Sequence, residues 1–413
     1  MSRPRRLPLP VGVADAVRPL LAARALRGFA DGYVAVLLPA YLLALGFGQL
    51  EVGVLSTATL AGSALATLAV GVAGHRGTPR RWLRGAALLM AATGAGFAGL
   101  SSFWPLLVVA FVGTLNPSAG DVSLFLPLEH ARLAQAAAGT ARTELFARYS
   151  LAGALAAAVG ALAAALPPWL VAHLGTPLIA ALRAMFVLYA AIGLAVWRLY
   201  RALPQGRADD AAPAAPLGPS RPIVLRLAAL FSVDAFAGGL VVNAMLALWL
   251  FQRFGLSLAQ AGAFFFWTGL LAALSQLAAP RVAARIGLLR TMVWTHIPSN
   301  LFLVAAALAP RLDLALALLL ARSALSQMDV PTRTAFVMAV VTPAERTAAA
   351  SFTAVPRSLA AAASPTLAGA LFAAGWLAAP LVGCGLLKIG YDLALLASFR
   401  RVEAGEPAGP PGR

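Results

Sequence analysis

The sequence predicts an all-α integral membrane protein, with twelve transmembrane helices arranged as two pseudo-symmetric bundles of six. Three observations lead to this fold class. Hydrophobic residues make up 61% of the 413 residues and charged residues only 11%, a balance far from that of a soluble domain. The apolar residues lie in runs that are long enough to cross a bilayer. The first half of the chain also recurs, in outline, in the second half.

Twelve apolar runs account for the predicted helices. A helix needs about 20 apolar residues to cross the hydrocarbon core, and these runs are too long and continuous to be the strands of a membrane barrel. We number them spans one to twelve. Their approximate limits are 22–45, 52–74, 83–101, 104–127, 146–166, 178–199, 223–252, 258–279, 290–309, 312–330, 348–373 and 377–398.

An internal repeat divides the spans into six and six. In each half an apolar run ends in an aspartate, a polar connector follows, and the next run has an arginine just inside its start. These residues are Asp121 and Arg148 in the first half and Asp329 and Arg357 in the second. A pair of glycines recurs in the same way, as Gly46 with Gly53 and as Gly255 with Gly262. Such a repeat implies two related bundles that face each other across a pseudo-twofold axis.

The repeat and the polar segments set the expected domain boundaries. We predict an N-terminal bundle over 1–200, a cytoplasmic linker over 201–222, a C-terminal bundle over 223–399 and a disordered cytoplasmic tail over 400–413. The linker is rich in Pro, Ala and Asp and has no apolar face, which is typical of a flexible tether.

The formal net charge of +17 comes from arginines that crowd into alternate connections between the spans. The connections on the other side hold only Arg253 and Arg311. This asymmetry is the orienting signal of membrane proteins, so it predicts that both termini are cytoplasmic and that nucleic acid is not a partner. The amino-acid composition is rich in Ala and Arg, which indicates a GC-rich bacterial genome. We therefore expect the protein to lie in the bacterial inner membrane.

Catalytic and metal-binding patterns are absent from the sequence. It contains no zinc-protease, hydrolase-nucleophile or nucleotide-binding motif and no Cys/His cluster, so we expect no enzyme activity, no cofactor and no metal. The single Cys384 has no second cysteine to bridge and is expected to be a small core residue.

Polar side chains inside the spans are the candidate functional residues. Charged and amide groups there cost several kcal/mol unless they are paired or hydrated, so each marks a cavity, a pair or a gate. We expect six of them to line a substrate cavity formed mainly by spans one, four, seven and ten. They are Asp31, Asn116, Asp234, Asn243, Arg322 and Gln327.

Asp31 and Asp234 lie deep in spans one and seven and are the candidates for proton coupling. Burial penalises the charged form of a carboxyl group, so such a residue can exchange a proton with the cavity. The structural alternative for Asp31 is an ion pair with Arg27, one helical turn away.

Arg322 lies near the bilayer midplane in span ten. A guanidinium offers five donors and does not readily lose its charge, so it requires an anionic partner. That partner is either an anionic group of the substrate or a carboxylate on a facing helix. Elsewhere, His296 is expected to bond to a neighbouring helix, and Lys388 and Asp392 are expected to neutralise each other on one helix.

The connection between spans two and three carries a resemblance to a known family. It reads GVAGHRGTPRR, and its repeat between spans eight and nine reads PRVAARIGLLR. The first resembles the corresponding loop of the major facilitator superfamily, although His75 stands where that family has an Asp. The residues that match are Gly71, Arg76, Arg80 and Arg81, and their repeats include Arg281 and Arg285.

The resemblance implies a gate at the cytoplasmic mouth. In that family such loop arginines pair with an Asp at the inner end of span four, here Asp121, with Asp329 as its repeat. The candidate gating residues are Arg76, Arg80, Asp121, Arg148, Arg281, Arg285, Asp329 and Arg357. The alternative is that the two Asp–Arg pairs of the repeat line a binding site.

The superfamily consists of secondary transporters, so the resemblance also implies a cavity that opens alternately to each side of the membrane. We expect proton-coupled export of a small amphipathic molecule by a monomer surrounded by membrane lipids. The arginine motif of proton-linked members is absent from span four, so this coupling depends on Asp31 and Asp234. One alternative is transport of an organic anion by intramembrane arginines. An alternative of another class is a membrane sensor or scaffold that does not transport.

Overall fold

The computed structural model describes residues 11–73, 78–118, 123–136, 139–203, 217–342 and 345–403. Within these ranges the chain folds into helices joined by short connections, and no strand is present. The helices are α1 (Val11–Ala44), α2 (Gln49–Ala73), α3 (Pro79–Gly99), α4 (Phe103–Val112), α5 (Phe125–Ala136), α6 (Gly139–Leu162), α7 (Leu166–Leu174), α8 (Leu178–Arg201), α9 (Arg221–Gly239), α10 (Asn243–Phe254), α11 (Leu258–Ile286), α12 (Leu288–Ala307), α13 (Leu312–Ser323), α14 (Asp329–Val340), α15 (Arg346–Ala373) and α16 (Ala379–Glu403).

These helices form twelve passes, and the predicted all-α fold class is confirmed. Three passes are split near the middle: α4 and α5 form span four, α9 and α10 form span seven, and α13 and α14 form span ten. Among the described residues, seven helical segments are by themselves long and apolar enough to cross a membrane. The two pieces of span four, and those of span ten, are too short to do so singly.

The two ends of the bundle differ in charge. At one end, called here the basic end, α2 is followed by α3, α8 by α9 and α11 by α12. Arginines gather there, including Arg80, Arg201, Arg221, Arg285 and Arg290. At the other end, called here the opposite end, three exposed tryptophans lie near helix ends, namely Trp104, Trp169 and Trp376, a position typical of the membrane interface.

Small residues set the packing of α1 against α6 in the first half. Gly28 of α1 lies so close to Gly153 of α6 that an added Cβ would stand 2.5 Å from the Gly153 carbonyl oxygen. Gly32 meets the backbone of Ala157 in the same way, one turn further along. Because only glycine and alanine stand at these points, the two backbones approach closely.

The two halves contact each other near the opposite end. Gly53 on α2 lies against Gly369 on α15, and an added Cβ at Gly53 would stand 2.5 Å from the Pro365 carbonyl oxygen. Beside this contact, the Thr366 hydroxyl donates to the Thr57 hydroxyl oxygen over 2.8 Å.

A second contact between the halves joins α11 to α6. An added Cβ at Gly262 would stand 2.5 Å from the Ala161 carbonyl oxygen. Gly53 and Gly262 occupy equivalent positions in the sequence repeat, and each one lies at a contact between the halves.

Towards the basic end, the inner helix pieces pack within their own halves. The main neighbours of α5 are α1, α3 and α6, and those of α14 are α11, α12 and α15. The close backbone contacts between the halves at Gly53 and Gly262 lie near the opposite end.

The connection between the halves falls partly outside the described residues, which omit 204–216. Its last residues are held by Glu345, which precedes α15. The Glu345 carboxylate accepts hydrogen bonds from the Gly218 and Ser220 amides and, over 2.6 Å, from the Thr342 hydroxyl. Hydrogen bonds from Ser220, Thr342 and Gly218 lower the pKa of Glu345 to about 2. Most of the predicted tail, 404–413, also lies outside the described residues.

Candidate functional site

The breaks in spans four and seven meet at the centre of the molecule. The Ala244 amide at the start of α10 donates to the Pro117 carbonyl over 3.0 Å. Asn116, which is buried, accepts hydrogen bonds from the Ser118 amide over 3.1 Å and from its hydroxyl over 2.6 Å. Asn243 is the first residue of α10 and is partly buried. The structure thus brings Asn116 and Asn243 to the two ends of one junction, where interrupted helices leave backbone groups available to a ligand.

A buried carboxylate, Glu129 on α5, organises the basic end of the first half. It accepts hydrogen bonds from Arg27 on α1 and Tyr149 on α6, and from the Tyr200 hydroxyl on α8 over 2.6 Å. The Arg27 guanidinium also lies 4.0 Å from the centre of the Phe125 ring. One charged group therefore ties α5 to three other helices, and two tyrosine hydroxyls help to satisfy it.

Asp31 lies one turn beyond Arg27 on α1 and is partly buried. Among the described residues it forms no hydrogen bond or ion pair. The expected alternative, an ion pair with Arg27, is not formed, because Arg27 is turned towards Glu129. Arg24 and Arg27 still lie within electrostatic range of Asp31.

The second half holds a longer chain of charges. Asp234 on α9 accepts hydrogen bonds from Lys388 on α16 over 2.5 Å and from Arg333 on α14 over 3.1 Å. Arg333 also donates to Asp329, one turn before it, over 2.8 Å. All four side chains are buried. Asp234 thus lies between two cations, and its place in a substrate cavity stays a prediction.

A histidine pair lies beside this chain. The Nδ1 atom of His296 on α12 is 3.0 Å from both carboxylate oxygens of Asp392 on α16. The expected bond of His296 to a neighbouring helix is therefore present. The expected pairing of Lys388 with Asp392 is wrong, because Lys388 turns to Asp234 and Asp392 turns to His296. Two charged residues one turn apart on a helix can each form an ion pair with a different neighbouring helix instead of with each other.

Arg322 closes α13, just before the break in span ten. Its Nε atom is buried and has no hydrogen-bond partner, and no carboxylate pairs with Arg322 anywhere in the described part of the chain. The Cys384 thiol lies within electrostatic range of Arg322. Within the break, Gln327 accepts a hydrogen bond from Gln276 over 3.4 Å.

The candidate gating residues have varied surroundings. Asp121 and Arg76 lie outside the described residues. Arg148 is 45% exposed and pairs with Glu144 on its own helix, and Asp329 pairs with Arg333 rather than with Arg357. The remaining three lie at the basic end, where Arg80 donates to the Arg201 carbonyl, Arg281 donates to the Leu277 carbonyl over 3.3 Å, and Arg285 is exposed. Their role as a gate stays a prediction.

Two central residues, Glu129 and Arg333, were not predicted to belong to the site. Both lie beyond the sequence limits of spans four and ten, because the breaks lengthen those passes to Ala136 and Val340. A signal was present in the chain, since Gly113 and Pro117 interrupt the apolar run of span four. Such interruptions are typical of transporter helices that are broken at the binding site.

Comparison with known proteins identifies the family. Residues 20–325 match the profile of the Major Facilitator Superfamily. The chain belongs to this superfamily. Its fold and family are those of membrane transporters, so it is a multi-pass membrane protein whose fold implies a small-molecule substrate.

Solved structures of superfamily members share the fold at low sequence identity. The nucleoside transporter NupG is 14% identical, with a TM-score of 0.71 over 93% of this chain and 99% of that chain. The xylose transporter XylE from E. coli, in an inward open conformation, is 14% identical, with a TM-score of 0.72 over 92% of this chain and 95% of that chain. At this identity they show the fold alone.

A sequence relative covers nearly the whole length. An uncharacterized membrane protein of Saccharomyces cerevisiae is 23% identical over 424 aligned residues, which include 94% of this chain and 95% of that protein. The family match over residues 20–325 confirms, at the level of the superfamily, the resemblance predicted from the loop between spans two and three.

Proposed function

We propose that this chain is a secondary-active transporter that exports a small amphipathic molecule by alternating access in exchange for protons. In this proposal the basic end faces the cytoplasm of the inner membrane and the chain works as a monomer. The two bundles are 1–200 and 223–399, joined by the linker 201–222 and followed by the tail 400–413.

The arrangement of the two halves carries this proposal. Close contacts at Gly53 and Gly262 join the halves at the opposite end, whereas α5 and α14 pack within their own halves towards the basic end. Three broken passes lie between these ends. A site at the level of the breaks would then be reached from one side only, as one state of an alternating-access cycle requires.

Asp31 is the stronger candidate for the proton-exchanging group. It has no hydrogen bond or ion pair among the described residues, so gaining a proton breaks no bond there. Asp234 differs, because a proton on it would weaken its ion pairs with both Lys388 and Arg333. We therefore assign proton exchange first to Asp31. In this proposal Asp234 takes up a proton only when its ion pairs with Lys388 and Arg333 are weakened.

Proton movement in liposomes tests the assignment. Purified protein is reconstituted with a pH-sensitive dye inside, a panel of candidate compounds is added, and the wild type is compared with Asp31→Asn. We expect proton flux with one class of compound, and its loss in Asp31→Asn but not in the matched control Asp313→Asn, whose side chain is 65% exposed. Substrate-driven proton flux that survives Asp31→Asn would contradict the assignment. Binding without proton flux would point to a uniporter or another coupling ion and would shift attention to Arg322 and anion transport.

A second candidate function is transport of an organic anion, and Arg322 is the observation that favours it. An unpaired guanidinium near the centre of a membrane protein needs a negative charge, and none is supplied by the described residues. Saturable uptake of anionic compounds should be lost in Arg322→Gln and retained in Arg253→Gln, which alters an arginine at the end of α10. Uptake that is unchanged in Arg322→Gln would exclude this role.

A further inference from the structure

A cavity of about 650 Å³ opens between α2 and α3 at the basic end. This volume lies within the range of pockets that enclose small ligands, about 300–1,000 Å³. The cavity is apart from the central junction at Pro117 and Ala244. Its lining is apolar apart from Arg81 and Trp82, and the other residues are Ala66, Ala69, Val70, Gly85, Ala86, Leu89 and Leu124.

Four arginines lie at the start of α3 and the end of α8, and one of them contacts this cavity. Arg81 lines it directly, whereas Arg80 and Arg84 lie on the side of α3 that faces α8. Arg80 donates to the carbonyl of Arg201, the last residue of α8. The guanidinium groups of Arg84 and Arg201 lie 5.3 and 4.9 Å from the centre of the Trp197 ring. Stacking on this ring keeps the positive charges close together despite their repulsion.

This arginine cluster lacks a neutralising acid. None of its four members forms an ion pair with a carboxylate of the described residues. Of the buried donors without a hydrogen-bond partner in this region, Trp82 Nε1 belongs to a residue that lines the cavity, whereas Arg80 Nε, Arg84 Nε and Trp197 Nε1 lie between α3 and α8. A buried donor without a partner is costly, so the cavity with Trp82 and Arg81 is suited to a ligand that carries acceptor oxygens and a negative charge.

We propose that this site binds an anionic phospholipid. An acyl chain lies in the apolar cavity between α2 and α3, and the phosphate group lies at the mouth beside Arg81. The position at one end of the membrane-spanning bundle favours a lipid, because headgroups and the start of the acyl chains occur at that level. The apolar lining and Arg81 match the two parts of that ligand.

Two variants separate the contributions of charge and cavity. Arg81→Gln removes the charge at the mouth. Gly85→Phe fills the cavity, and an added Cβ at Gly85 meets no atom within 4 Å, so the new side chain enters open space. The matched controls are Arg226→Gln, an exposed arginine on α9, and Gly390→Phe on α16, where an added Cβ also meets no atom within 4 Å.

Native mass spectrometry of the full chain measures the retained lipid. The protein is mixed with phosphatidylglycerol or with phosphatidylcholine of the same acyl chains, each at the same concentration. We expect the wild type to retain phosphatidylglycerol about fivefold more than phosphatidylcholine, and Arg81→Gln to lose about that factor, as one basic residue contributes at an anionic surface. Gly85→Phe should lower the retention of both lipids, and both controls should behave as the wild type.

Three outcomes would overturn the proposal. The first is equal retention of the two lipids by the wild type. The second is unchanged lipid retention in Gly85→Phe. The third is a loss of substrate flux in Gly85→Phe without loss of lipid, which would assign the cavity to the transported molecule. If Gly85→Phe does not elute as a folded protein, Ala69→Leu fills the cavity with a smaller side chain and decides in its place.

Discussion

The two halves use ion pairs of opposite polarity at equivalent places. In the first half the cation, Arg27, is on the first pass and the anion, Glu129, is on the inner piece of the broken pass. In the second half the anion, Asp234, is on the first pass and the cation, Arg333, is on the inner piece. In both halves an ion pair joins the first pass to the inner piece of the broken pass, but the helix that carries the positive charge differs.

The halves also differ in how the carboxylate is satisfied. Glu129 has one cation and two tyrosine hydroxyls, whereas Asp234 has two cations, one of which also binds Asp329. Charge in the second half is thus shared along a chain of four residues. The first half depends on a single formed ion pair, and losing one partner there leaves a buried charge whose ion pair is broken.

The largest expected effect is the loss of Glu129. In Glu129→Gln the buried Arg27 keeps its charge, because a guanidinium does not readily lose its proton. We expect destabilisation of about 3–5 kcal/mol, seen as a lower midpoint of thermal unfolding in detergent. The double variant Arg27→Met with Glu129→Leu should recover most of this loss. A single variant as stable as the wild type would show that the pair does not support the first half.

The matching change in the second half should cost less. In Asp234→Asn, Arg333 keeps Asp329, and Lys388 can release its proton where an arginine cannot. We expect about 2 kcal/mol, the contribution of hydrogen bonds to a charged group, in the same unfolding measurement. If Asp234→Asn were the more damaging of the two, the idea of shared charge would be wrong.

The glycine contacts between the halves test whether the opposite end opens. Gly53→Val and Gly262→Val each place a side chain against a carbonyl oxygen of the other half. Overpacking of this kind costs about 1–3 kcal/mol and penalises only the state in which that end is closed. Spin-label distances across the opposite end should lengthen in both variants. Gly390→Val, at a glycine with open surroundings, is the control, and unchanged distances in Gly53→Val would argue against a moving contact.

The smallest expected effect concerns Glu345, at the connection between the halves. Its pKa is about 2, below its ordinary 4.5, so its stabilising contribution is complete above pH 4.5. This contribution is lost as the pH falls from 4.5 through about 2. The difference in unfolding midpoint between the wild type and Glu345→Gln should therefore shrink across that window. A difference that stays constant down to pH 2 would mean that the hydrogen bonds do not depend on the charge.

The repeat in the sequence and the contacts in the structure agree at some positions and not at others. Gly53 and Gly262 were recognised as equivalent from their spacing, and both lie at contacts between the halves. Asp329 of the same repeat pairs with Arg333, one turn along its own helix, a partner that the repeat did not indicate. A repeated glycine predicts a contact well, because close helix packing requires glycine at one given position. A repeated charge predicts its partner poorly, because a long charged side chain can reach several neighbouring groups.

The sequence by itself determined the membrane class, the twelve passes and the division into related halves. Hydropathy and run length are local properties, and a bilayer imposes the same length on every pass. Only the tertiary structure decided the partners of the buried charges, because Arg27 and Glu129, or Asp234 and Lys388, are far apart in the chain and meet through helix packing. The positions of the breaks in spans four and ten, which place Glu129 and Arg333 inside the bundle, also depend on tertiary packing. Packing makes such breaks possible because neighbouring helices satisfy the interrupted helix hydrogen bonds.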